Sequence, residues 1–338
     1  MSQDHYVPQT YLERFIDPNK PGHVRLYSKS KQFCVPATPE KICREFDGDS
    51  NFCFSNPRVL DSILHEIEPK WNWALDELER GNITGDMLLI IATNIARFRS
   101  CTPTRKRLAK SMLENDLESL RPYMAEWVKR TSEQHEDLEE LINGLLDSNI
   151  KLSVDQDLGH AFAIQNVVKV GLAYTISDWC ILRNDTLIPF ITSDNPGILI
   201  NLPSHLPSPI YVPLTPKHAI LIFVNPKNPD IHSLLELLEK KDIGVSELNE
   251  NLTKFSKNRS IQNLKATDIT VEMVNHEIVK FAEDKIIANV EAEWIKKMVK
   301  EYKNWEVQSL CKKVLDGEKE AIFQYTEQVV LNDNLTVI

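Results

Sequence analysis

Apolar residues recur at two spacings along this chain, and the spacing changes near residue 178. From Ser55 the repeat is helical, with Leu60, Ile63, Leu64, Ile67, Trp71, Leu75 and Leu78 returning every three or four positions. Ser55 or Asn56 suits the cap and Pro57 the first helical position, Pro69 predicts a kink or restart after Glu68, and Gly81 predicts an end. Thr84 caps a second helix, Asp86 to about Arg99. Its Leu88, Ile91, Ile95 and Phe98 stripe is widened by Leu89, Ile90 and Ala92 until it is apolar nearly all round, which predicts a buried, central helix. Beyond Thr102-Pro103, Leu108, Met112, Leu113, Leu117, Leu120, Met124 and Trp127 mark a long amphipathic helix. An acidic helix follows over Glu136 to Leu146, and Asp155 or Asp157 opens another that runs to Ile176.

After that the runs shorten. Cys180–Leu182, Leu187–Ile191, Ile198–Ile200, Ile210–Leu214 and Ala219–Val224 predict strands, with Trp179 to Ile191 reading as a hairpin. The links are too short for crossover helices, so antiparallel pairing is expected. Helical spacing resumes over Ile231 to Lys240, Asp268 to about Ala288 and Glu291 to about Lys303, and late strands follow at Ala321–Tyr325 and Val329–Leu331. At the other end, Tyr11, Leu12 and Phe15 share one face of a short helix after Pro8. His23–Ser28 alternates as a half-buried strand, with Gln32–Val35 as its partner. The expected architecture is one α+β domain over residues 1–338. It has a mostly helical N-terminal half (about 55–178), a central antiparallel sheet (about 179–225) and helical C-terminal packing (about 231–305).

Composition narrows the function classes. A net charge of −10 over 338 residues argues against a general nucleic-acid-coating protein, since phosphate affinity comes from Lys and Arg. Two local basic runs remain as candidate nucleic-acid contacts: Arg97, Arg99, Arg105, Lys106, Arg107 and Lys110 within 97–110, and Lys254, Lys257, Arg259 and Lys265 within 254–265. A solvated charged face is the commoner meaning of such runs. With only ten glycines and neither GxGxxG nor GxxxxGK[ST], no nucleotide-cofactor loop is indicated. The six cysteines form no CxxC pair, no apolar run is long enough to span a membrane, and no signal peptide opens the sequence; reduced thiols in a cytoplasmic protein are expected.

Several short motifs occur in order: HYVPQxYLxxF at His5–Phe15, Leu-Tyr-x-Lys at Leu26–Lys29, Ile67-Glu68, FITSDNP at Phe190–Pro196 and VPLTP at Val212–Pro216. With these the chain resembles the bacterial domain-of-unknown-function family four-two-three-eight. Asn94-x-x-Arg97 stands where that family has Gln-x-x-Arg, and Asn275 seven residues before Ala282 extends the likeness. The resemblance implies one domain type in which the marked positions cluster. It suggests a place in bacterial anti-phage defence and brings no biochemical assignment.

The marked residues suit phosphodiester chemistry. His5 titrates near neutrality and would shuttle a proton, or it anchors the N-terminus by a hydrogen bond. Asp194 and Glu68 would act with it catalytically and bind a divalent ion, Mg²⁺ or Mn²⁺, or orient water. Lys29, Asn94, Arg97, Ser193 and Asn195 would hold substrate, with Arg97 and Lys29 on phosphate. Against this, Ser193 and Asp194 are the residues of an ordinary turn that serves its own backbone, and a buried Arg97 needs a carboxylate whether or not it binds substrate. The leading expectation is a nuclease of the bacterial defence or toxin kind. The alternative is a non-enzymatic sensor or interaction module whose motif residues form a structural polar network.

Overall fold

The computed structural model describes residues 3–131, 136–147, 151–200, 208–224, 230, 233, 259–316 and 320–331. Strand β1 (Gln3–His5) and a single helical turn, α1 (Gln9–Leu12), lead to β2 (Val24–Ser28), β3 (Cys34–Ala37) and β4 (Arg44–Phe46). Six helices follow: α2 (Val59–Ile67), α3 (Trp71–Arg80), α4 (Gly85–Cys101), α5 (Pro103–Thr131), α6 (Glu136–Leu146) and α7 (Gln156–Thr175). Then come β5 (Asp178–Asn184), β6 (Thr192–Ser193), β7 (Ile198–Leu199), β8 (Ile210–Thr215), β9 (His218–Phe223) and β10 (Ile261–Ala266). The chain continues through α8 (Asp268–Phe281), β11 (Lys285–Ala288), α9 (Glu293–Glu301) and a hairpin of β12 (Trp305–Asp316) and β13 (Glu320–Leu331). The fold is α+β.

Local chemistry sets the helix ends. Thr84 Oγ1 accepts from Met87 N at the start of α4, and Asp155 Oδ1 from Asp157 N at the start of α7. Pro69 lies in a 3₁₀ turn between α2 and α3, the restart its missing N–H demands. Gly81 ends α3 at φ +81°, where glycine carries no Cβ penalty. Gly171 lets α7 close on α4, because a Cβ there would stand 2.9 Å from Thr93 Oγ1.

The five-stranded sheet has the order β10-β5-β9-β8-β7, antiparallel except for β10 beside β5. Both of its faces are buried. Trp179, Ile181, Val212, Ile220 and Ile222 point to one core with Tyr11, Leu75, Ile91 and Ile95, and the intervening Cys180, Leu182, Tyr211 and Ala219 point to another with Val274 and Ile278 of α8. A second sheet, β3-β2-β11-β6, is antiparallel throughout and joins the N-terminal strands to β11. Among the described residues no helix is long and apolar enough to cross a membrane.

Several expectations need correction. Residues 187–191 do not return as a hairpin partner of β5, which pairs with β9 and β10 instead. Pro189 has no N–H to give a ladder, and side-chain amides bind the carbonyls of Ile188 and Pro189. The helix expected to run to about Ala288 stops at Phe281, and Lys285–Ala288 is a strand. Ile261–Ala266 is a parallel edge strand that no apolar alternation marks. The helix expected over Ile231 to Lys240 lies, but for Ser233, outside the described residues.

Candidate functional site

Four of the motif residues, Lys29, Ser193, Asp194 and Asn195, gather around the turn that joins α8 to β11. A helix leaves its last carbonyls without internal partners, and the chain must then present N–H groups to start a strand. Lys29 and the residues after Thr192 meet both needs. The Lys29 ammonium is buried and donates to Lys280 O (3.3 Å), Ala282 O (2.9 Å) and Trp305 O (3.0 Å). Asn195 Nδ2 donates to Phe281 O at 2.9 Å. A cation at a helix C-terminus also opposes the negative end of the dipole.

Asp194 serves the other side of the turn. Its Oδ1 accepts from Glu283 N (2.9 Å), and its Oδ2 from Asp284 N (2.9 Å) and Lys285 N (2.8 Å). Its own N–H donates to Lys285 O. Asp284 in turn holds the β2 end, accepting from Ser28 Oγ, Ser30 N and Ser30 Oγ, while Lys29 N donates to Asp284 O. Ser193 Oγ accepts from Asn195 N, a local turn bond. Burial pushes the Asp194 carboxyl up to about 6, although the backbone N–H groups of Lys285 and Asp284 oppose the shift. Burial likewise brings Lys29 down to about 8, with Asp194 and Asp284 opposing it.

One layer away, three motifs touch at one point. Tyr11 OH donates to Pro213 O (2.7 Å) and lies 2.6 Å from Thr192 Oγ1. The Tyr11 ring packs on Phe98, with centroids 4.9 Å apart. Asn275 of α8 takes the place of a strand partner for 189–191, accepting from Ile191 N and donating to Pro189 O.

A second group surrounds Arg97 on α4. Its guanidinium donates to Glu68 Oε1 (2.7 Å), His5 O (2.8 Å) and Asp49 Oδ2 (3.3 Å). Burial alone would weaken its charge, but Asp49 and Glu68 outweigh that and hold its pKa above the ordinary value. Burial pushes Asp49 up to about 6 against the pull of Arg97. Arg58 grips Asp4 through two nitrogens, and Asp4 Oδ2 also accepts from Asp49 N. The His5 ring contacts Glu40 O through Nε2 at 3.0 Å. Asn94 is buried and donates to Ile90 O of its own helix.

The structure therefore brings His5, Glu68 and Arg97 together, and separately Lys29, Ser193, Asp194 and Asn195. Among the described residues no hydrogen bond or ion pair joins Glu68 to Asp194, and no group of three or more His, Cys, Asp or Glu side chains is placed to hold a metal ion. Tyr6 links the two groups through the chain: it follows His5, and its hydroxyl accepts from Lys285 Nζ at 3.0 Å. The basic run after Arg97 turns largely inward. Arg99 and Arg105 both donate to Gly197 O, Lys106 pairs with Glu45 and Gly48 O, and Arg107 pairs with Glu283. In the second run, Arg259 donates to Thr175 O and Lys265 faces Asp185, while Lys254 and Lys257 lie outside the described residues.

Sequence reasoning missed Asp4, Asp49, Arg58 and Asp284, whose partners, apart from Asp61 three residues after Arg58, lie far away in the chain. Tyr11 carried a usable signal, because a tyrosine on an apolar helix face needs a partner for its hydroxyl. The family model described as "Protein of unknown function (DUF4238)" matches residues 3–292. Neither the curated proteins nor the solved structures gave a match.

Proposed function

The chain belongs to the DUF4238 family of proteins of unknown function, and from that premise we propose that it is a non-enzymatic sensor or protein-interaction module whose motif residues hold its architecture. The observation that carries this reading is Asp194. Both its oxygens are engaged by backbone N–H groups of the α8–β11 turn, and the residue is only 4% exposed. A general base or metal ligand needs a lone pair facing substrate or ion. Lys29 supports the same reading, since its ammonium meets three backbone carbonyls and no open surface.

A second reading has one observation in its favour. Glu68 is about one-third exposed (35%) while bonded to Arg97, and the His5 carbonyl accepts from the same guanidinium. A partly exposed His and Glu over a buried Arg suit a phosphodiester hydrolase of the bacterial defence or toxin kind, working in the cytoplasm with Mg²⁺ or Mn²⁺. Incubation with single- and double-stranded DNA and RNA plus each metal separates the two readings. The module reading expects no cleavage. Cleavage that disappears in His5→Ala or Glu68→Gln, with the melting temperature unchanged, would overturn it in favour of the hydrolase.

A further inference from the structure

A cleft of about 500 Å³ opens where the loop after β5 meets the β8–β9 turn and the residue following β11. Its backbone is pre-built. Asn184 Nδ2 donates to Ile188 O (2.7 Å) and Pro216 O (3.2 Å), its Oδ1 accepts from Thr186 N (2.9 Å), and Asn275 holds Pro189 O from behind. These bonds fix the loop before anything binds, which lowers the entropy a ligand must overcome.

The side chains facing the cleft are used differently from those at the α8–β11 turn. Asn289 Oδ1 is buried and accepts no hydrogen bond, and among the described residues the Asn289 amide makes none at all. Lys217 is exposed and forms no ion pair among the described residues. Arg183 shares Asp185 with Lys265. His218 Nδ1 lies 3.4 Å from Thr215 Oγ1, which accepts from Lys217 N (3.1 Å) and His218 N (3.0 Å). Burial lowers the His218 pKa, with Glu79 opposing the shift. Glu79 closes the wall, with Oε1 3.7 Å from Nδ1.

We infer that this cleft binds a small phosphorylated sugar, free or as part of a nucleotide. The phosphate meets Lys217, Arg183 and the His218 ring, and sugar hydroxyls donate to Asn289 Oδ1 and the Glu79 carboxylate. A buried acceptor without a partner is costly, and a hydroxyl donor relieves it. Cations alone would suit any anion; the acceptors beside them select one that also carries O–H groups. Pro189 and Pro216 line the cleft and offer an apolar surface to a base or to the sugar ring. The inference rests on the sensor reading and names its ligand class.

Calorimetric titration of the full chain with ribose 5-phosphate, a mononucleotide, the uncharged nucleoside and inorganic phosphate tests it. Saturable binding of ribose 5-phosphate or the mononucleotide is expected, and which of the two binds tighter tells the free sugar from the nucleotide. The nucleoside and inorganic phosphate should each bind at least about tenfold more weakly. Lys217→Gln and Asn289→Ala should each weaken the preferred ligand by about tenfold with an unchanged melting temperature. Absence of saturable binding by both sugar phosphates overturns the inference, as does binding that neither substitution weakens. Those results leave the module reading standing. Nuclease activity lost in His5→Ala would overturn the module reading while the titration still reports on the cleft.

Discussion

At the α8–β11 turn, charged side chains meet backbone atoms; around Arg97 they meet one another. Asp194 and Lys29 each neutralise a row of three main-chain dipoles. Arg97, Asp49 and Glu68 neutralise opposite charges, and Glu68 keeps part of its surface in water. The first arrangement fixes chain geometry, because each backbone group has one place to be. The second fixes the position of the N-terminal strand through a charge balance that depends on pH and on which partner is removed.

The largest expected effect tests the first half of that contrast. Asp194→Ala takes the acceptor from three part-buried backbone N–H groups at once, and a loss of about 3–5 kcal/mol is expected in chemical denaturation. A variant as stable as the wild type would show that the turn does not need its carboxylate. Lys29→Met should cost about 2–3 kcal/mol, since three carbonyls lose one shared donor while the buried stem is largely kept.

The Arg97 group should answer asymmetrically. Arg97→Met strands Asp49 in the interior and should cost about 3 kcal/mol. Glu68→Gln removes a partner that is 35% exposed and should cost under about 1 kcal/mol. Equal losses in thermal melts of the two variants would erase the distinction drawn between buried and half-exposed partners.

The smallest effect is a pH slope. The folded Asp49 carboxyl sits at about 6, above its ordinary 3.8, so between those values the native state holds more proton than the unfolded chain. Its contribution to stability is full below pH 3.8 and declines as pH rises to about 6. The difference in unfolding free energy between wild type and Asp49→Asn should shift against the wild type over that window. Lys29, brought down to about 8, acts above it: its contribution rises with pH from about 8 toward 10.5, and Lys29→Met should flatten that rise.

The helical caps and breaks were legible because they are local. Thr84, Asp155, Pro69 and Gly81 act within a few residues of where they stand. Strands β5, β8 and β9 were legible because their alternation serves two buried faces. Strand β10 was not, since an edge strand with four consecutive exposed residues has no apolar period to read. The end of α8 was hidden for another reason: neither glycine nor proline marks it, and the groups that stop it come from residues 29, 194 and 195. The marked residues fall into two groups rather than one, and while a turn serving its own backbone is readable at Ser193 and Asp194, nothing local shows that Asp194 would reach the N–H groups of residues 283–285.

The bond from Lys29 to Ala282 spans 253 residues of chain. During synthesis the first of these residues leaves the ribosome long before the second exists, so the N-terminal strands wait with an ammonium that has no acceptor and an open edge. The β3-β2-β11-β6 sheet can close only when the family segment is almost complete. A chain cut short before residue 282 would carry all the helices of the N-terminal half and still lack β11, one of the two strands that β2 pairs with. Vulnerability to early termination and to proteases in the nascent state is thus written into the same turn that makes the finished molecule firm.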